Sequence, residues 1–376
     1  MRFYQKIKEN KFLSATSVLI GTAVGAGFLG IPYVASKSGF LVALVMIIVI
    51  GLLVMLTNLY MGEISLRTKG KHQLSGYAEI YLGKKGKWLM EFAVIFGIYS
   101  AIIAYLFAIG ESLSLIILGN VSKFMGFGIF VGILLALLMW DGIKILKKFE
   151  KIGVAVVLLL LIVIVVLFSG NINIENLNYV NYSNMFLPLG VIFFSFLCFS
   201  AIPHVEIILN KKEKHMKKAL IFGSLVPMLI YAVFTAIVVG IKGVDTPEIA
   251  TFALGGIFIV LGIFTMLNAY LSLGNALMNN FSFDNRLSKI KSWFLAAVMP
   301  LIIFLIIQYF EIFSFTSILS IGGIVSGGLT GTLILLMIRK AKKKGNRKPE
   351  YKIPINWFII GLLVLFFVFA VVQEIL

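Results

Sequence analysis

Long apolar runs separated by short connections rich in Lys and Gly dominate the chain from residue 12 to residue 374. A run such as residues 154–168 is apolar on every face. It has neither the alternation of a strand half in water nor the one-sided stripe of a surface helix. A hydrocarbon core about 30 Å thick takes about 20 apolar residues of helix to cross. On that measure the pattern predicts eleven spans, at 12–36, 40–66, 89–117, 124–140, 152–168, 184–209, 217–241, 255–278, 293–310, 314–338 and 355–374. Membrane strands alternate over about ten positions, which these runs do not. Only a helix satisfies all its backbone groups within such a run, so the fold class is an all-α polytopic membrane protein.

Composition agrees. The chain is 60% hydrophobic and 13% charged, against about a quarter charged in a soluble domain. Its formal charge of +17 would suit nucleic acid only if gathered on one face of a folded domain, but the basic residues lie between spans. With the N-terminus placed inside, all but Lys37, Lys123 and Lys242 of the 33 Lys and Arg residues fall on the cytoplasmic side, as insertion favours. The C-terminus then lies outside. The short basic start runs into its apolar stretch without an Ala-x-Ala-like cleavage site, which predicts a retained first span. Connections 67–88 and 339–353 are too short for a core of their own, so residues 1–376 read as one transmembrane domain in a cell membrane. The basic run 339–348 suits topology and, secondarily, anionic lipid. The single cysteine, Cys198, permits no intrachain disulfide.

Phe28 to Val34 in the first span aligns with Phe199 to Val205 in the sixth, matching Phe, Ile, Pro and Val and pairing the small residues Gly30 and Ala201. Each segment opens a five-span unit, 12–168 and 184–338, with 355–374 left over. Five crossings is an odd number, so the second unit is predicted to be inverted. Inverted repeats whose helices are interrupted by Gly or Pro at matching positions point to the central site of a secondary transporter. Gly21 and Gly25 also fit plain close packing of helices, whereas Gly25-Ala26-Gly27 followed by Pro32 favours unwinding. Pro32 and Pro203 would free the carbonyls of Phe28 and Phe199. The amides at Gly27 and Phe28 suit a carboxylate, and freed carbonyls at Gly21 and Val24 suit a cation. The candidate substrate residues are Val24, Gly25, Ala26, Gly27, Phe28, Phe196, Phe199, Ser200, Ala201 and Tyr99, with Tyr105 close by.

At these residues the chain resembles the amino acid/auxin permease family of the amino acid, polyamine and organocation transporter superfamily. The matching features are Gly-Ala-Gly-Phe-Leu-Gly-Ile-Pro-Tyr at 25–33, the Phe196–Pro203 segment with its Ser-Ala-Ile-Pro ending, and eleven spans with the N-terminus inside. The resemblance implies a five-plus-five inverted repeat with spans 1 and 6 broken at the site, and symport by alternating access. By the same analogy a cation would sit between the first break and the eighth span, where Thr265, Asn268 and Ser272 share one helical face. Oxygen ligands suit Na⁺. Lys151 stands only at the start of the fifth span, which favours Na⁺ over H⁺ as coupling ion. No other cofactor is implied, and a monomer is the default for this fold.

His204 and Glu206 follow Pro203 and are candidates for a proton relay, although Glu206 could instead reach Lys211 or Lys212. The aromatic residues around the breaks suggest a neutral or aromatic amino acid. No P-loop appears, and the three histidines, His72, His204 and His215, are scattered, which argues against ATP-driven transport and intramembrane catalysis. A channel would need a polar file or a filter loop. The alternatives are a receptor that binds an amino acid without turnover and a proton-coupled permease for another small organic solute.

Overall fold

A chain without water around it must close its hydrogen bonds locally, and the computed structural model is built of helices accordingly. It describes residues 11–25, 27–141, 159, 161–356, 361, 364, 365, 367–369 and 372. Ala26, the basic residues before Lys11, residues 152–158 and 160 of the fifth predicted span, the 144–151 connection and most of 355–374 lie outside the described residues.

Helices α1 (Lys11–Ala23) and α2 (Gly27–Ser38) make up the first predicted span and are bent by 52° across the break between them. Then come α3 (Phe40–Arg67), the short α4 (Leu74–Leu82), α5 (Lys84–Leu118), α6 (Phe124–Asp141) and α7 (Leu161–Asn171). The sixth predicted span is α8 (Pro188–Ser195) and α9 (Ile202–Leu209), followed by α10 (Met216–Lys242), α11 (Gly256–Asn279), α12 (Lys289–Tyr309) and α13 (Phe315–Lys344). Among the described residues, seven helices, or eight spans with the bent pair counted as one, are long and apolar enough to cross a membrane. This is an integral, all-α polytopic membrane protein. Helix α4 interrupts a connection that carried no prediction of structure.

The outer surface explains the pattern. Leu41, Val45, Ile48 and Leu52 recur at helical spacing on α3 and are all about half exposed, a stripe that would be a liability in water and faces lipid here. Inside, most of the described buried apolar residues form one cluster that includes the fully buried Tyr60, Tyr231, Tyr270 and Phe193, with a smaller one at Ala35, Phe40, Ala43 and Val239.

Gly39 makes the turn from α2 to α3 at φ +107° and ψ +138°, backbone that only glycine adopts without strain. The Ser38 carbonyl beside it accepts the Asn181 N–H at 2.9 Å, and a Cβ on Gly39 would collide with the Tyr179 carbonyl oxygen. Gly39→Ala is therefore expected to cost about 1–3 kcal/mol through backbone strain, read as a lower melting temperature of the purified protein in detergent.

Candidate functional site

Both broken spans lose their ladder at the same depth. At the end of α1 the Gly25 N–H turns to the Ala23 carbonyl at 2.9 Å instead of reaching Gly21, whose carbonyl is thereby released. In the sixth span residues 196–198 are not helical and 199–201 form a single 3₁₀ turn before α9. The prolines are not the cause. Pro32 lies within α2 and Pro203 in the first turn of α9, the second being a place where a missing N–H costs nothing.

Between the breaks lies a cavity of about 80 Å³ that opens to solvent. Of the candidate substrate residues, Gly25, Gly27, Phe199 and Ser200 line it, as does Tyr105. So do Thr22, Ser195, Ser326 and Thr330, which carried no prediction. Among the described residues, the lining contains no Asp, Glu, Lys, Arg or His. It runs from the breaks to Leu74 of α4, the end of the bundle where α3 and α13 finish. Away from that end the helices pack closely, since a Cβ on Gly30 would press on the Val191 and Leu319 side chains, one on Gly190 would strike Ser320, and one on Gly323 would strike the Gly190 carbonyl.

The other candidates lie elsewhere. Val24 is buried outside the cavity wall, and so is Ala201. Phe28 and Phe196 turn their rings to Tyr231, at centroid distances of 6.2 and 4.9 Å. Tyr99 donates to the Leu295 carbonyl at 2.6 Å and faces α12. Ala26 lies outside the described residues.

The five cation candidates do not converge on one space. Gly21 is exposed. Thr265 donates to Gly262 at 2.8 Å and borders a second, small apolar cavity of about 30 Å³ beside Phe28 that none of the other four lines. Ser272 is half-buried, and the Asn268 Oδ1 is buried without a hydrogen-bond partner. His204 and Glu206 do not form a relay, because His204 is exposed while Glu206 accepts from the Ser65 and Tyr77 hydroxyls. Lys211 and Lys212 are not its partners. Burial and the neighbouring Glu206 push the Tyr77 phenol above its ordinary range, so it stays a donor.

A charged cluster lies near this end. Glu63 on α3 is fully buried and paired with Arg67 at 2.8 Å and with Lys342 of α13 at 3.4 Å. It also accepts the Ile353 N–H at 2.7 Å. The segment after α13 is tied to α3 throughout: the Asn346 and Arg347 amides donate to the Arg67 carbonyl at 3.0 Å, Tyr351 to Leu59 at 2.7 Å, and Tyr60 to Pro354 at 2.9 Å. Burial, with Glu63 adding to it, holds the Tyr351 phenol well above its ordinary range.

Residues 8–253 match the model of the tryptophan/tyrosine permease family. The chain is 23% identical to glutamine transporter 2 of Aliivibrio fischeri over 390 positions, which cover 97% of this chain and 99% of that protein. To the tyrosine permease of Enterobacter agglomerans it is 22% identical over 250 positions, 61% of this chain and 58% of the other.

Proposed function

The chain belongs to the tryptophan/tyrosine permease family, and from that membership and the cavity between its broken spans we propose that it is a secondary transporter moving a neutral amino acid across the membrane by alternating access. The family is one of amino acid permeases, as the motif at 25–33 implied. The match is to the tryptophan/tyrosine permease family rather than to the amino acid/auxin permease family, since a helix break at Gly-Ala-Gly does not distinguish one such family from another. This is a family of permeases and not of enzymes.

The observation that carries the reading is the lining of the cavity. An amino acid brings its own carboxylate and ammonium, and a site whose side chains carry no charge leaves helix ends and carbonyls to receive them. A charged substrate side chain would find no counter-ion there and would bear the cost of desolvation. Small hydroxyls at Thr22, Ser195, Ser200 and Ser326, beside Phe194 and Phe199, suit an amide or an aromatic ring. The relatives named for glutamine and tyrosine fall within that class.

Coupling to Na⁺ in preference to H⁺ is part of the proposal. It is supported by the leftover acceptor of Asn268 and by the exposure of His204 outside any relay. The wide asymmetry of Lys and Arg supports a cytoplasmic N-terminus, which makes the cavity one that opens toward the cytoplasm.

The test is uptake of labelled L-glutamine and L-tyrosine into proteoliposomes, with Na⁺ and H⁺ gradients imposed separately. Accumulation above equilibrium under the Na⁺ gradient is expected. Accumulation under the H⁺ gradient alone would reverse the choice of ion, and saturable binding without accumulation under either would make the protein a receptor.

A further inference from the structure

Tyr231 of α10 is fully buried and lies at the point where the two breaks meet. Its hydroxyl oxygen is 2.7 Å from the Ala23 carbonyl, the last of α1, and 2.7 Å from the Ser195 carbonyl, the last of α8. Its ring has Phe28, in the first turn of α2, stacked at 6.2 Å, and Phe196, the first residue of the second break, at 4.9 Å. One side chain on a third helix therefore touches both sides of the first break and both the last helical turn and the unwound residues of the second.

Two helix C-termini meeting here bring together carbonyls of like partial charge, an arrangement that favours a donor between them. A phenol has one proton and the site has two acceptors. The Ala23 carbonyl also accepts the Gly25 N–H at 2.9 Å, so removing the hydroxyl would take away not its last donor but the one side chain that reaches both carbonyls. Ala23 and Ser195 also line the cavity, so whatever fixes these two carbonyls fixes the distance between its walls.

We propose that Tyr231 is a positioning residue that pins the broken ends of the first and sixth spans to one another and so sets the geometry of the substrate cavity. The proposal rests on the transporter reading for its link to substrate affinity, but the pin itself can be read without transport. The chain's single cysteine, Cys198, is buried within the second break and reports its opening. In Tyr231→Phe the ring contacts remain and the donor is gone. Labelling of Cys198 by a membrane-permeant maleimide in proteoliposomes is expected to accelerate about tenfold, as for a loss of about 1.4 kcal/mol of restraint.

Tyr60→Phe is the control, because that hydroxyl is also spent on a backbone carbonyl but far along α3 at Pro354. It should leave the labelling rate where it is. In uptake assays Tyr231→Phe should raise KM for whichever of L-glutamine and L-tyrosine the wild type accumulates, with melting temperature lowered no more than in Tyr60→Phe. A fall in melting temperature with KM and Cys198 labelling unchanged would overturn the proposal and make Tyr231 an ordinary core residue. Should Tyr231→Phe not give monodisperse protein, Phe28→Leu removes a ring contact on the other break. Faster labelling of Cys198 there supports transmission through Tyr231, and an unchanged rate overturns it. If the wild type accumulates neither amino acid, the transporter reading fails while the labelling comparison still decides the pin.

Discussion

Gly27→Val is expected to lower amino acid uptake by about tenfold to a hundredfold while the protein still inserts and folds, the range that about 1–3 kcal/mol of overpacking corresponds to. A Cβ at Gly27 would lie 2.8 Å from the Ser195 Oγ, 3.0 Å from Phe194 Cδ1 and 3.1 Å from the Ser195 Cα. The last of these is backbone of the other broken span and cannot step aside without moving α8. Gly25 is the informative contrast. Its Cβ would meet Tyr105, at 2.7 Å from the hydroxyl oxygen, the far end of a side chain and not backbone. Gly25→Ala should therefore cost severalfold less than Gly27→Ala. Initial uptake rates in proteoliposomes, normalised to incorporated protein, measure both, and undiminished uptake by Gly27→Val would take this contact out of the transport site.

Glu63→Gln is the substitution expected to damage stability most. The carboxylate is fully buried and answers Arg67, Lys342 and a backbone amide at once. Breaking a buried pair by removing one partner costs about 3–5 kcal/mol, because the charges left behind stay out of water. Two cations are left here, and both are only partly exposed. The expected result is a clearly lowered melting temperature in detergent, with Glu79→Gln as the comparison. Glu79 pairs with Lys87 at 2.9 Å on an exposed surface, where such a pair is worth about 0–1 kcal/mol. Equal shifts for the two variants would show that the cluster around Glu63 contributes no more than surface charge does.

The helical membrane class and the places of the two breaks were readable because both follow from local chemistry. Apolar runs of spanning length admit one solution in lipid, and Gly25-Ala26-Gly27 has too little side chain to favour continued helix. The prolines misled, since Pro32 and Pro203 sit inside regular turns while the ladder fails three or more residues earlier. Which side chains face the cavity was less legible. Phe28, Phe196 and Tyr99 have the aromatic character of site residues, but their rings or hydroxyls are engaged by Tyr231 and the Leu295 carbonyl. Those partners are not near in sequence, and no periodicity announces them. Tyr231 escaped notice for the same reason, its two carbonyls being 208 and 36 residues away. The anchoring of residues 346–354 on α3 was equally hidden: only the folded chain brings Lys342 and Ile353 to Glu63.

The two sides of the bundle are held by different means, a seam of glycines at Gly30, Gly190 and Gly323 and, near the cavity's open end, a carboxylate shared among several donors. Sequence change is felt differently at each. Along the seam a methyl group added at Gly30 meets Val191 and Leu319 and one at Gly323 meets Gly190 and Phe194, so the harm from replacements at Gly30 and Gly323, which share none of these neighbours, should come close to summing. Around Glu63 the harm is held in common, so a second replacement at Lys342 should do far less than it does alone, and drift there can proceed only by linked steps.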